Sequence, residues 1–206
     1  MKEAMKKYTL IIFVNLLLTL TLWGGTVMKE KLEKATFGGG CFWCTEAIFE
    51  RVNGVHSAES GYSGGDVPNP DYKQVTSGLS GHAEVIQITY DPGKITYSEL
   101  LEIFFKTHDP TSLNRQGADV GTQYRSTVFY HNEEQRAQVE KVIEVLDGEG
   151  IWKDPIVTTV EPFEAFYKAE GYHQEYYENN PNQGYCRIVI NPKVEKFENV
   201  FKEKLK

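Results

Sequence analysis

Thr36-Phe37-Gly38-Gly39-Gly40-Cys41-Phe42-Trp43-Cys44, continuing into Thr45-Glu46-Ala47-Ile48-Phe49, is the stretch from which the rest of the chain is read. Residues 35–37 read as a short strand. Three glycines then permit a sharp turn, because glycine tolerates positive φ without a steric cost. Cys44, Ile48 and Val52 recur at helical spacing, and Asn53-Gly54 is a good stop, so residues 41–52 read as a helix. Cys41 then falls in the first turn of that helix. Unpaired N–H groups and the helix dipole favour an anion there, which predicts a stabilised thiolate. Trp43 sets an indole beside it.

Working outward, residues 55–62 and 84–90 read as strands, with a Gly- and Pro-rich loop over 63–70. Asp91-Pro92-Gly93 is a turn. Thr96-Tyr97-Ser98-Glu99 is a capping box, followed by Leu100, Leu101, Phe104 and Phe105 at helical spacing. Residues 108–123 form a long irregular loop, a length that often carries function. A strand over 124–130 and a helix opening at Asn132 follow, the helix with Val139, Val142, Ile143 and Leu146 on one face. Residues 156–160 read as a strand, 165–180 as partly helical, and Asn191-Pro192 opens a last helix through Val194, Phe197, Phe201 and Leu205. This order describes a two-layer α+β sandwich, a mixed sheet covered by helices, with a ferredoxin-like plait at its core.

The 206 residues suit one domain with extra segments, and a content of 40% apolar and 25% charged residues is ordinary for a globular chain. A formal charge of −7 with no basic stripe argues against nucleic acid as a partner. Lys2, Lys6 and Lys7 precede an apolar run over 8–23, which reads as a signal peptide spanning 1–27, with a charged linker over 28–34 and the domain from 35 to 206. Leu22 and Trp23 are bulky where a cleavage site prefers small residues, so an uncleaved membrane anchor is the alternative. Either places the protein in the periplasm or cell envelope. A start at Met28 would leave it cytoplasmic; the flanking lysines favour export.

Three cysteines, two of them close together, suit a working thiol site better than a disulfide framework. The segment Gly40-Cys41-Phe42-Trp43-Cys44 resembles the active-site signature of the A-type peptide methionine sulfoxide reductases. Further along, Asn69-Pro70-Asp71-Tyr72, Gly81-His82-Ala83-Glu84, Gln116-Gly117-Ala118-Asp119, Gly121-Thr122-Gln123-Tyr124 and Tyr172-His173-Gln174 resemble that family's segments in the same order. The resemblance implies that Cys41 attacks the sulfur of a methionine S-sulfoxide, free or in a protein, while Phe42 and Trp43 wall in its methyl group. Glu84 would protonate the oxygen, Tyr72 and Tyr124 would donate hydrogen bonds to it, and Asp119 would orient its neighbours. Burial among aromatics would raise a carboxyl's pKa enough for that role. The product would be a sulfenic acid on Cys41. Cys186, on a Gly- and Asn-rich approach that could swing inward, matches the family's resolving cysteine and is preferred as first resolver over Cys44. A thioredoxin-type reductant would reopen the disulfide, with no metal or bound organic cofactor required, in a monomer.

Taken alone, each residue has a plainer reading. Cys44 can simply pack with Ile48 and Val52, a glutamate at 84 would by default face solvent, Asp119 suits a turn, and His82, His108 and His173 read as structural hydrogen-bonders. Two other functions compete. A general dithiol oxidoreductase on Cys41 and Cys44 is disfavoured by the bulky Phe42-Trp43 between the thiols. A zinc module on the three cysteines and a histidine lacks a second close pair of ligands.

Overall fold

The computed structural model describes residues 31–206. The expected leader, and the linker through residue 30, lie outside the described residues. Strand β1 (Glu33–Gly39) leads into helix α1 (Phe42–Phe49), then β2 (Val55–Ser63), a short α2 (Tyr72–Thr76), β3 (Ala83–Tyr90) and α3 (Tyr97–Thr107). Two short strands, β4 (Arg115–Gln116) and β5 (Asp119–Val120), pair as a hairpin. There follow β6 (Ser126–Tyr130), α4 (Glu133–Gly148), β7 (Thr159–Pro162), β8 (Tyr167–Lys168), α5 (Tyr176–Asn179) and α6 (Asn191–Val200).

The main sheet runs β7-β6-β1-β3-β2-β8. Its inner four strands, β6-β1-β3-β2, are antiparallel to their neighbours, and α1 and α3 make the two crossovers. That is the βαββαβ plait expected. A parallel β7 extends one edge and an antiparallel β8 the other, which makes the sheet mixed.

Local chemistry sets the helix starts. Thr96 and Glu99 form a reciprocal capping box at α3, Asp71 and Gln74 do the same at α2, and Asn132 accepts from Gln135 N–H at α4. Phe37 anchors the core under α1 and α3, its ring 5.0 Å from Phe104 and 5.9 Å from both Phe49 and Tyr97. Truncating so enclosed a ring to alanine typically costs about 3–5 kcal/mol. Helix α6 packs against both α1 and α3.

Several boundaries move. Strand β1 begins at Glu33, inside the expected linker, and continues through Gly38 and Gly39, which pair with Thr127 and Ser126. Only Gly40 makes the turn, at φ 91°. A Cβ there would lie 2.6 Å from Cβ and Cγ of Gln116, so both conformation and space require glycine. Helix α1 stops at Phe49 rather than Val52, which instead bridges to Leu205. Strand β6 starts at Ser126 because Thr122–Tyr124 coil into a 3₁₀ turn. The strand expected over 156–160 forms at Thr159–Pro162, where β6 offers a parallel edge. The last helix ends at Val200, and a π-helical turn, Cys186–Ile190, precedes it.

Candidate active site

Cys41 is the N-cap of α1, with φ −59° and ψ 124°, and makes no side-chain cap. The first free N–H of the helix, that of Phe42, is instead taken by Oε2 of Glu84 at 3.1 Å. A carboxyl from β3 thus does what a capping side chain would do locally. Glu84 is 1% exposed. Register explains this: it shares the parity of Ile86, Ile88 and Tyr90, which face the core beneath α1, whereas Ala83 and Val85 face the smaller cluster behind the sheet. The default solvent-facing reading of Glu84 is therefore overturned. Burial pushes its carboxyl up to about 8; the Phe42 N–H opposes this, while Asp119 and Cys44 add to it. A carboxyl so raised favours its protonated form at neutral pH, and Oε2, not Oε1, is the oxygen engaged by Phe42.

The remaining residues converge on this pair. Tyr72 opens α2, and its phenol is pushed up to about 12 by burial, then by Glu84 and Cys41. Tyr124 ends the 3₁₀ turn and is raised by burial, Glu84, Tyr72 and Cys41 in turn. The β4–β5 hairpin presents Asp119, whose Oδ2 accepts from Tyr185 Oη at 2.7 Å. Phe42 is buried, its ring 5.9 Å from Tyr62 and 6.2 Å from Trp43. Trp43 stacks on Tyr176, with centroids 3.7 Å apart and planes 7° from parallel.

The thiols differ from expectation. Cys41 is only 7% exposed, and burial pushes its thiol well up, with Cys44 and Glu84 adding to the effect and Tyr185 opposing it. Burial thus works against the thiolate expected at the helix start. Cys44 is hydrogen-bonded to Cys41, and that bond draws its thiol down. Cys186, expected on a flexible approach, is fully buried at the start of the π turn, where burial and then the charge of Cys44 raise its thiol.

His82 is structural as read, accepting from Gly65 N–H at Nδ1 and donating to Val67 O. His108 likewise bridges Phe104 O and Ser126 Oγ, and burial lowers its pKa to about 4. His173 reaches further: its Nδ1 accepts from Trp43 Nε1–H at 3.2 Å. Tyr185 was missed. It lies against both thiols and Asp119, yet one tyrosine among 12 carries no local signal. Among the described residues, no three His, Cys, Asp or Glu side chains converge as a metal site. The arrangement unites the Cys41 thiol, a buried carboxyl and two phenols beside an aromatic wall.

A family model described as "Peptide methionine sulfoxide reductase" matches residues 33–205. "Peptide methionine sulfoxide reductase MsrA 1" of Rhodopirellula baltica is 58% identical over 174 residues, which is 84% of this chain and 90% of the relative. Reduced Mxr1 from Saccharomyces cerevisiae has a similar structure, with TM-score 0.69 and 38% identity over 77% of this chain and 91% of its own. The structure of that yeast protein in complex with Trx2 matches at TM-score 0.50 and 27% identity, covering 74% and 91% of the two chains. With matches of this extent over the whole described domain, the chain belongs to the peptide methionine sulfoxide reductase family.

Proposed function

We propose that the chain reduces methionine S-sulfoxide, free or in oxidised proteins, to methionine. The observation that carries this reading is Glu84, a buried carboxyl held by the Phe42 amide beside the Cys41 thiol, where burial raises its pKa. A sulfoxide oxygen departs only if it gains a proton, and few surroundings keep a carboxylic acid protonated at neutral pH.

In this reading the methyl group rests against Phe42 and Trp43, and the oxygen lies among Glu84, Tyr72 and Tyr124. Cys41 attacks the sulfoxide sulfur, and an S–S bond forms as the Glu84 proton passes to the oxygen. The S–O bond and the new S–S bond of the substrate then break together as the hydroxyl oxygen bonds to the Cys41 sulfur. The thioether leaves, reduced by two electrons, and Cys41 keeps the oxygen as a sulfenic acid. The proton that Cys41 gave up returns to Glu84, so the carboxyl ends the step as it began. Both phenols donate toward the oxygen as negative charge develops on it, while Asp119 and Tyr185 orient the thiols.

Cys44 is best placed to attack the sulfenic acid first, forming a Cys41–Cys44 disulfide and releasing water. The contact between the two sulfurs supports this over a first attack by Cys186. Cys186 then attacks Cys44, freeing Cys41 and passing the disulfide outward. A thioredoxin-type dithiol reduces that disulfide; the Trx2 complex of the yeast relative supports a partner of this class. The leader reading would place the enzyme in the envelope, which fractionation of cells expressing the full chain would test. The defining experiment is reduction of a methionine S-sulfoxide peptide. Wild type should turn over with thioredoxin, and Cys41→Ser should release no methionine. Methionine release by Cys41→Ser at the wild-type rate would end the proposal.

A further inference from the structure

Glu170 and His173 take no part in the chemistry above, yet His173 touches the wall that holds the substrate and Glu170 lies beside His173. The indole N–H of Trp43 can only donate, so His173 Nδ1 must keep its lone pair and the ring proton must sit on Nε2. His173 is 1% exposed, and its Nε2 is buried without a hydrogen-bond partner. It points toward Oε2 of Glu170, 4.0 Å away. Glu170 is itself anchored: Oε2 accepts from Tyr62 Oη at 2.9 Å, and Oε1 accepts from the N–H of Tyr72 at 2.8 Å. Burial would raise its carboxyl, but these donors and His173 outweigh that and hold it below the usual range.

The His173 ring is the common neighbour of the wall, 5.0 Å from Phe42, 5.6 Å from Trp43 and 4.4 Å from Tyr72. Stacking on Tyr176 fixes the plane of the Trp43 indole. The bond from Nε1 to His173 adds the one directional contact that fixes where its N–H edge points. It exists in only one of the two neutral tautomers of His173, and a negative charge on the Nε2 side selects that one.

We infer that Glu170 is a positioning residue: it fixes His173 as the Nε2–H tautomer and, through it, the orientation of Trp43. It thereby sets affinity for the methyl sulfoxide group and leaves the rate of oxygen transfer alone. The inference rests on the reading of Phe42 and Trp43 as the substrate wall. Two measurements on the full chain test it. Nitrogen-15 NMR of wild-type His173 should find the proton on Nε2; a proton on Nδ1 overturns the inference whatever the variants do.

Single-turnover kinetics on a methionine S-sulfoxide peptide then separate affinity from chemistry. Glu170→Gln should raise the half-saturating concentration about fivefold, the worth of one neutral hydrogen bond, with the maximal rate within twofold. His173→Asn places an amide oxygen where Nδ1 stood and has no tautomer to choose. Adding it to Glu170→Gln should return half-saturation to within twofold of wild type. An unchanged half-saturation in Glu170→Gln, a loss of maximal rate, or a double variant no better than the single overturns the role. Failure of the wild type to reduce the peptide would instead remove the underlying function, and the NMR result would stand apart from it.

Discussion

Replacing Glu84 by glutamine keeps the size and the bond to Phe42 N–H but removes the proton to be given. With its carboxyl raised to about 8, Glu84 is ~90% protonated at pH 7, against ~0.3% for an ordinary glutamic acid near 4.5. The fold thus multiplies the available acid ~300-fold, within the ~10²–10⁴ that a positioned general acid contributes. Glu84→Gln should lose about that factor in the rate of sulfenic acid formation, read by quenching a single turnover and trapping Cys41 with a sulfenic-acid probe. The pH profile supplies the sign. In wild type this step should fall about tenfold per unit above pH 8, as the carboxyl loses its proton. In Glu84→Gln that alkaline fall should vanish, leaving a slow rate sustained by Tyr72 and Tyr124. A Glu84→Gln rate within threefold of wild type at pH 7, or an alkaline limb that survives the substitution, would refute the assignment.

Peptide mapping after one equivalent of sulfoxide should find a Cys41–Cys44 disulfide in Cys186→Ser. The sulfenic acid on Cys41 should persist at least about tenfold longer in Cys44→Ser than in wild type. Gly40→Ala should cost about 2–4 kcal/mol in urea unfolding, from positive-φ strain and the clash with Gln116 together; a loss under half a kcal/mol would show that the turn relaxes. Burial holds Glu46 and Glu50 up at about 7 and Glu84 at about 8, so the folded chain keeps protons that the unfolded chain releases near 4.5. That contribution is full below about pH 4.5 and is lost as pH rises through 8. The urea midpoint should therefore fall between pH 6.5 and 9, and fall less in Glu84→Gln.

Periodicity and punctuation were enough for the plait. The alternation in β3, the capping box at Thr96 and the apolar stripe of α3 are local patterns, and each became the element expected. Failures fell where pairing with a distant strand overrode local preference. Gly38 and Gly39 look like a turn but are held in β1 by β6, and β7 sits where β6 offers an edge. The motif order from Cys41 to His173 named candidate residues that the fold brings near one another, because those side chains are spelled out in sequence.

Their electrostatic state was not legible in that way. Whether a thiol or carboxyl is charged depends on desolvation by residues far away in the chain, and this reversed the expectation for Cys41 while supporting it for Glu84. Tyr185 against the thiols, the burial of Cys186, and Glu170 behind His173 likewise arise from contacts across the fold. Composition, spacing and motif order alone determined the architecture, the family and which side chains are candidates for the chemistry, since these rest on local rules of backbone and side chain. Which groups are buried, and which of them meet across the fold, was decided only by tertiary structure, since burial and electric field are properties of what surrounds a residue in space.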